Sequence, residues 1–98
     1  MWRQTACDAL AQGKCLQLSY DGFSRVVEVH LVGETTAGND AMRVYQIRGG
    51  SESNERVGWK LLRLDEARGA TIIDEKSEAP RRGYNRNDTH MSRIYCRI

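Results

Sequence analysis

Four stretches of this chain set an aromatic ring beside cations: Tyr45 with Arg43 and Arg48, Trp59 with Lys60 and Arg63, Tyr84 with Arg81, Arg82 and Arg86, and Tyr95 with Arg93 and Arg97. Rings present flat stacking faces and guanidinium or ammonium groups pair with phosphate. Single-stranded nucleic acid is held by this combination where sequence is not read closely. The candidate ligand-binding set is therefore Arg43, Tyr45, Trp59, Lys60, Arg63, Arg81, Arg82, Tyr84 and Arg86. Tyr45, Trp59 and Tyr84 would stack, and the cations would contact phosphates. The competing reading is architectural: Tyr45 and Trp59 fill core, and outward arginines on the terminal strand discourage edge-to-edge pairing.

Other chemistry is less well supported. His30 and His90 have no metal-ligand spacing with each other or with a cysteine, and a metal needs three or four converging ligands, so both read as surface or edge histidines. A nucleophilic Cys7, Cys15 or Cys96 would need a thiol pKa lowered by a base or a helix N-terminus, and small buried hydrophobes explain Cys15 and Cys96 on strands. The carboxylate pairs Asp65-Glu66 and Asp74-Glu75 are adjacent in sequence at strand ends. Neighbouring strand residues point apart, so neither pair suits general acid and base work. Gly49-Gly50-Ser51 lacks the lysine and the following helix of a phosphate cradle. The expectation is a protein that is not an enzyme, with no cofactor and no metal.

Net charge is only +2, unevenly spread. From Arg81 onward five arginines face one acid, Asp88, so the carboxyl end is a modest basic patch suited to phosphate or carboxylate partners. Three cysteines at wide spacing fit reduced thiols rather than a disulfide framework. No stretch is long and apolar enough to span a bilayer, and the amino terminus lacks the apolar centre of a signal peptide, so the expected location is cytoplasmic and no membrane partner is expected.

These side chains must be carried by short strands. Thr5 as N-cap, Asp8 three positions on and Gly13 at the far end predict a short helix at about 5–12. A period of two then sets in over 14–20, with Leu16, Leu18 and Tyr20 on one face. Asp21-Gly22 is a type I′ hairpin turn, and 25–32 returns with Val27, Val29 and Leu31 against Glu28 and His30. Residues 33–40 read as a loop or second hairpin tip. A third strand, 42–48, has no cleanly apolar face and so should line something other than bulk core. After the polar 49–55 connection come strands at 59–64 and 70–74. The stretch from 76 has no period until 92–98, where Ile94, Cys96 and Ile98 alternate with Arg93, Tyr95 and Arg97 in a closing strand. The fold class is mainly β: an SH3-like or Sm-like barrel of five or six strands in one domain, with the helix at about 5–12, the barrel at about 14–75 and a C-terminal arm and closing strand at about 76–98.

CLQLSYDGFSRVVEVHLV, RVYQIRGG and GWKLLRLDEARGATIID, with the tail PRRGYNRND, make the chain resemble the short stand-alone members of the WYL domain family of bacteria and their phages, over about 9–75. The resemblance implies an SH3-like or Sm-like barrel. It also implies a sensing module that takes up a nucleotide or single-stranded nucleic acid and modulates a regulator, as in transcription regulation. Val44-Tyr45-Gln46 stands where the family has Trp-Tyr-Leu. Lys60, Arg63 and Asp65 match its charged positions, while Glu66 and Ala67 replace an arginine and an isoleucine. Residues 1–13 are too short for a helix-turn-helix. The expected function is a non-enzymatic module binding an anionic ligand, with single-stranded nucleic acid or a nucleotide foremost. The alternative is a protein-interaction or homo-oligomeric assembly module that uses an exposed barrel edge.

Overall fold

The computed structural model describes residues 2–98. One helix, α1 (Arg3–Gln12), precedes six strands: β1 (Lys14–Tyr20), β2 (Phe23–Thr35), β3 (Asp40–Gly49), β4 (Gly58–Arg63), β5 (Arg68–Lys76) and β6 (Met91–Arg97). All pairings are antiparallel within one sheet, ordered β4-β3-β2-β1-β5, with β6 attached to β2. The sheet ends at β4 and β5, which do not pair with each other. No helix among the described residues is long and apolar enough to cross a membrane.

α1 starts earlier than the expected capping pair. Trp2 occupies the N-cap, Thr5 lies inside the helix, and Asp8 accepts from the Gln4 side-chain amide at 2.8 Å, so no capping box forms. Gly13 closes the helix in the left-handed region at φ 66°, as expected of a C-terminal glycine. Ala6 and Ala9 lie fully buried on the sheet, and Trp2 donates its indole N–H to the Ala67 carbonyl at 2.9 Å. A helix this short persists because that stripe is packed.

Asp21 and Gly22 both have positive φ, 52° and 79°, as the type I′ turn requires. β2 runs well past its expected end because one strand serves three neighbours. β3 pairs along one edge, and the other edge is divided between β1, on residues 23–27, and β6, on residues 31–35. Leu16, Leu18, Val27, Val29, Val44, Met42 and Leu62 face inward to the core under α1.

Between the β1 and β6 stretches the second edge of β2 has no strand beside it. There the His30 ring meets the Glu28 carbonyl, and the His30 carbonyl accepts from the Ile98 amide and the Tyr84 hydroxyl. Buried backbone groups need such partners wherever a sheet is interrupted.

Cys7 on α1 and Cys96 on β6 form a disulfide across 89 residues, with Cα atoms 6.0 Å apart. This corrects the expectation of three reduced thiols, and it removes the support those thiols lent to a cytosolic location, since lasting disulfides are a feature of oxidising compartments. Cys15 alone is free. It is fully buried, and burial pushes its thiol up to about 11. Spacing could not anticipate the bond, because the helix and the closing strand are the first and last elements of the chain and are brought together only by the tertiary fold.

Candidate ligand-binding cleft

The cross-strand register builds the site. Glu28 on β2 lies opposite Tyr45 on β3, and Tyr45 opposite Trp59 on β4, forming one row on the face turned away from the core. Period-two alternation makes this the solvent face. The segment 77–90 between β5 and β6 instead folds back over it. Glu28 is therefore 1% exposed and His30 0%, which corrects the surface or edge placement of His30.

Under this arm four rings converge. Tyr45 meets Trp59 edge-on with centroids 5.5 Å apart, and Trp59 lies 6.3 Å from Tyr84 with planes inclined by 21°. The His30 ring is 4.6 Å from Trp59 and 5.1 Å from Tyr84. Beside them opens a cleft of about 150 Å³ lined by Arg43, Trp59, Gly83, Tyr84, Asn85 and Asp88. In volume alone this matches one benzene-sized ring, and its wall is half polar, with Arg43, Asn85 and Asp88 beside the two rings.

The cations are largely engaged by the protein itself. Arg81 donates Nε and one amino group to the Glu28 carboxylate at 2.7 and 3.1 Å, and its guanidinium lies 4.7 Å from the Tyr45 centroid. The other Glu28 contact is the Glu78 amide at 2.7 Å. Arg43 makes the corresponding fork to Asp88 at 2.7 and 3.3 Å, and the amino group turned to Asp88 also meets His90 Nδ1. Burial pushes the Asp88 carboxyl up, but the bonds from Arg43 and the His90 amide outweigh it and hold the group below its ordinary value. Burial likewise drives His30 down, against the raising effect of its contact with the Glu28 carbonyl.

Of the predicted residues, Arg43, Tyr45, Trp59, Arg81 and Tyr84 come together. Arg82 contributes its carbonyl to the Trp59 indole N–H at 3.2 Å while its side chain is exposed and unpaired among the described residues. Arg86 reaches the Ile98 carbonyl at 3.0 Å, beside the Tyr84 hydroxyl. Lys60 and Arg63 lie elsewhere. Lys60 points away from Trp59 to the Ser51 and Ser53 hydroxyls, and Arg63 is forked onto Asp65. Glu66 takes the Tyr20 hydroxyl at 2.9 Å and stands near Arg63, away from this cleft.

Sequence reasoning missed Glu28, His30 and Asp88. The available signal was the fourteen-residue aperiodic segment, rich in charge and carrying a tyrosine, which has to lie on some part of the sheet. Compared with known proteins, the chain matches no family model, no curated protein and no solved structure.

Proposed function

We propose that this protein is a non-enzymatic sensing module that binds a nucleotide or single-stranded nucleic acid at the Tyr45–Trp59–Tyr84 cleft. The observation that carries this reading is the convergence of three rings from β3, β4 and the arm, with centroids 5.5 and 6.3 Å apart, two of which, Trp59 and Tyr84, line a ring-sized opening bordered by Arg43. A base would lie against Trp59, and the attached phosphates would meet cations that have donors to spare. Those are Arg82, the remaining amino groups of Arg86, and the Arg43 amino group not turned to Asp88. Arg81 is committed to Glu28, and Lys60 and Arg63 stand apart.

The scaffold proposed for this module is an SH3-like barrel of the WYL kind. The long β2 shared between β1 and β6, and the one-turn 3-10 helix at Leu64–Glu66 between β4 and β5, suit a sheet curling toward closure. The cytosolic setting expected from the sequence would expose the Cys7–Cys96 bond to reduction.

The test is fluorescence anisotropy with short labelled oligonucleotides and mononucleotides at several salt concentrations. Each phosphate neutralised on a single strand contributes about −0.7 to the slope of log affinity against log salt, so Arg82 and Arg86, the two cations here without a carboxylate partner among the described residues, predict a slope of about −1.4. Trp59→Ala should weaken binding about tenfold or more, the scale of one lost stacking contact. No binding at high micromolar protein in low salt defeats the proposal.

A second reading, a protein-interaction or self-assembly module, has its own observation. Phe23 and Val57, 38% and 59% exposed, flank a groove of about 510 Å³ with Ile47, Arg48 and Arg56. Apolar groups held in water beside a groove suit a protein partner. Sedimentation separates the readings: a stable oligomer indifferent to oligonucleotide favours assembly, and a monomer that shifts on adding oligonucleotide favours sensing.

A further inference from the structure

His30 sits where the arm, the aromatic cleft and the gap in the sheet meet. Its Nδ1 lies 3.0 Å from the Glu28 carbonyl, and its Nε2 accepts the Arg81 backbone N–H at 2.9 Å. Only the neutral ring with its proton on Nδ1 satisfies both contacts, because a carbonyl can only accept and an amide can only donate. The ring has no exposure, so water cannot replace either partner.

The surroundings offer little to a cation. From its own strand the nearest charge is the Glu28 carboxylate, already engaged by Arg81 and the Glu78 amide. From the arm come the Arg81 guanidinium and the uncharged Tyr84 phenol, from β4 the Trp59 ring, and from the end of β6 the Ile98 main chain, whose amide bonds the His30 carbonyl. Burial lowers the proton affinity of the ring, consistent with this set.

We propose that His30 is a proton-operated latch: protonation at Nε2 sets its N–H against the Arg81 N–H, unseats the arm 77–90 with Tyr84, and opens Tyr45 and Trp59 to ligand. The leverage comes from position. Arg81 is bonded to Glu28 through its side chain and to His30 through its backbone, and the next residue, Arg82, carries the carbonyl that holds the Trp59 indole. Loss of the Arg81 amide bond therefore strains the anchors on both sides. The closed cleft admits about one ring, whereas the sheet face beneath the lifted arm presents Tyr45 and Trp59 side by side, room for two stacked bases. The ligand part of this proposal rests on the function proposed above; the latch itself does not.

The experiment follows the full chain by two-dimensional NMR from pH 7.5 to 5.0 without ligand. The Arg81 amide, the Trp59 indole N–H and the His30 ring should titrate together with a midpoint below the ordinary histidine value of 6.5. Solvent exchange of the indole proton, corrected for intrinsic pH dependence, should rise at least tenfold. His30→Gln keeps an acceptor for the Arg81 amide but cannot titrate, and should abolish the transition; His90→Gln should retain it. An Arg81 amide that does not follow the wild-type His30 ring overturns the proposal even if His30→Gln fails to fold. A transition that survives in folded His30→Gln overturns it too. Oligonucleotide binding absent at every pH would sink the ligand reading and leave the latch intact.

Discussion

Glu28 and Asp88 each take a two-pronged arginine, and the exchange of partners they impose is the main chemical fact at the level of single residues. An arginine placed beside a tyrosine in sequence is equally ready to grip a phosphate or a buried carboxylate. Arg81 has found the carboxylate, so Arg81→Ala leaves Glu28, 1% exposed, without its counter-ion. Removing one member of a buried pair predicts a loss of about 3 kcal/mol, read from urea unfolding. Asp88 gives a pH prediction. Its native carboxyl is held below the ordinary 3.8, so the unfolded chain takes up that proton first as pH falls. The stabilisation is therefore full above 3.8 and is lost as pH drops below it toward the lowered native value. Exchange of the His90 amide, which donates to Asp88 at 3.0 Å, should report that loss at a lower pH than the change at Arg81.

Among the elements, β2 organises the sheet and its glycine sets how closely β6 can approach. A Cβ on Gly33 would collide with the Arg93 backbone carbonyl, which cannot move without shifting β6. Gly33→Ala should cost about 1–3 kcal/mol, the scale of overpacking at a rigid contact, and thermal unfolding measures it. The register shift between Val32 and Gly33 also explains β6 itself. Its expected clean alternation breaks there, so Tyr95 and Cys96 both pack against the core. Tyr95 does not join an open basic face. Its hydroxyl bonds Asp40 at 2.8 Å while the Arg3 guanidinium lies 3.8 Å from its ring centroid.

For the molecule as a whole, the Cys7–Cys96 disulfide ties the first element to the last. In the chain-entropy account, closing so long a loop restricts the unfolded ensemble strongly, and removing such a bond costs about 2–5 kcal/mol. Thermal melts with and without reductant should show that loss, and Cys7→Ser should match the reduced protein. The satisfied interior fits a chain with one packed arrangement: among the described residues no buried side-chain nitrogen or oxygen lacks a partner.

Local patterns were enough to read β1 to its end residues, the Asp21-Gly22 turn, the Gly13 helix stop, the inward face of β1 and that of β2 as far as Val29, because each depends on neighbours within a few positions; beyond Val29 a register shift turns Val32 to the core in place of the expected Leu31. They also picked out Tyr45, Trp59 and Tyr84, three rings that do meet. What they could not reach was where residues 77–90 come to rest. A period of two divides a strand into two faces and says nothing of what lies over either one. The arm falls on the face that alternation assigns to water. That single long-range placement turns Glu28 and His30 from surface polar residues into buried anchors, and turns Arg81 from a candidate phosphate ligand into the clasp that holds the arm down.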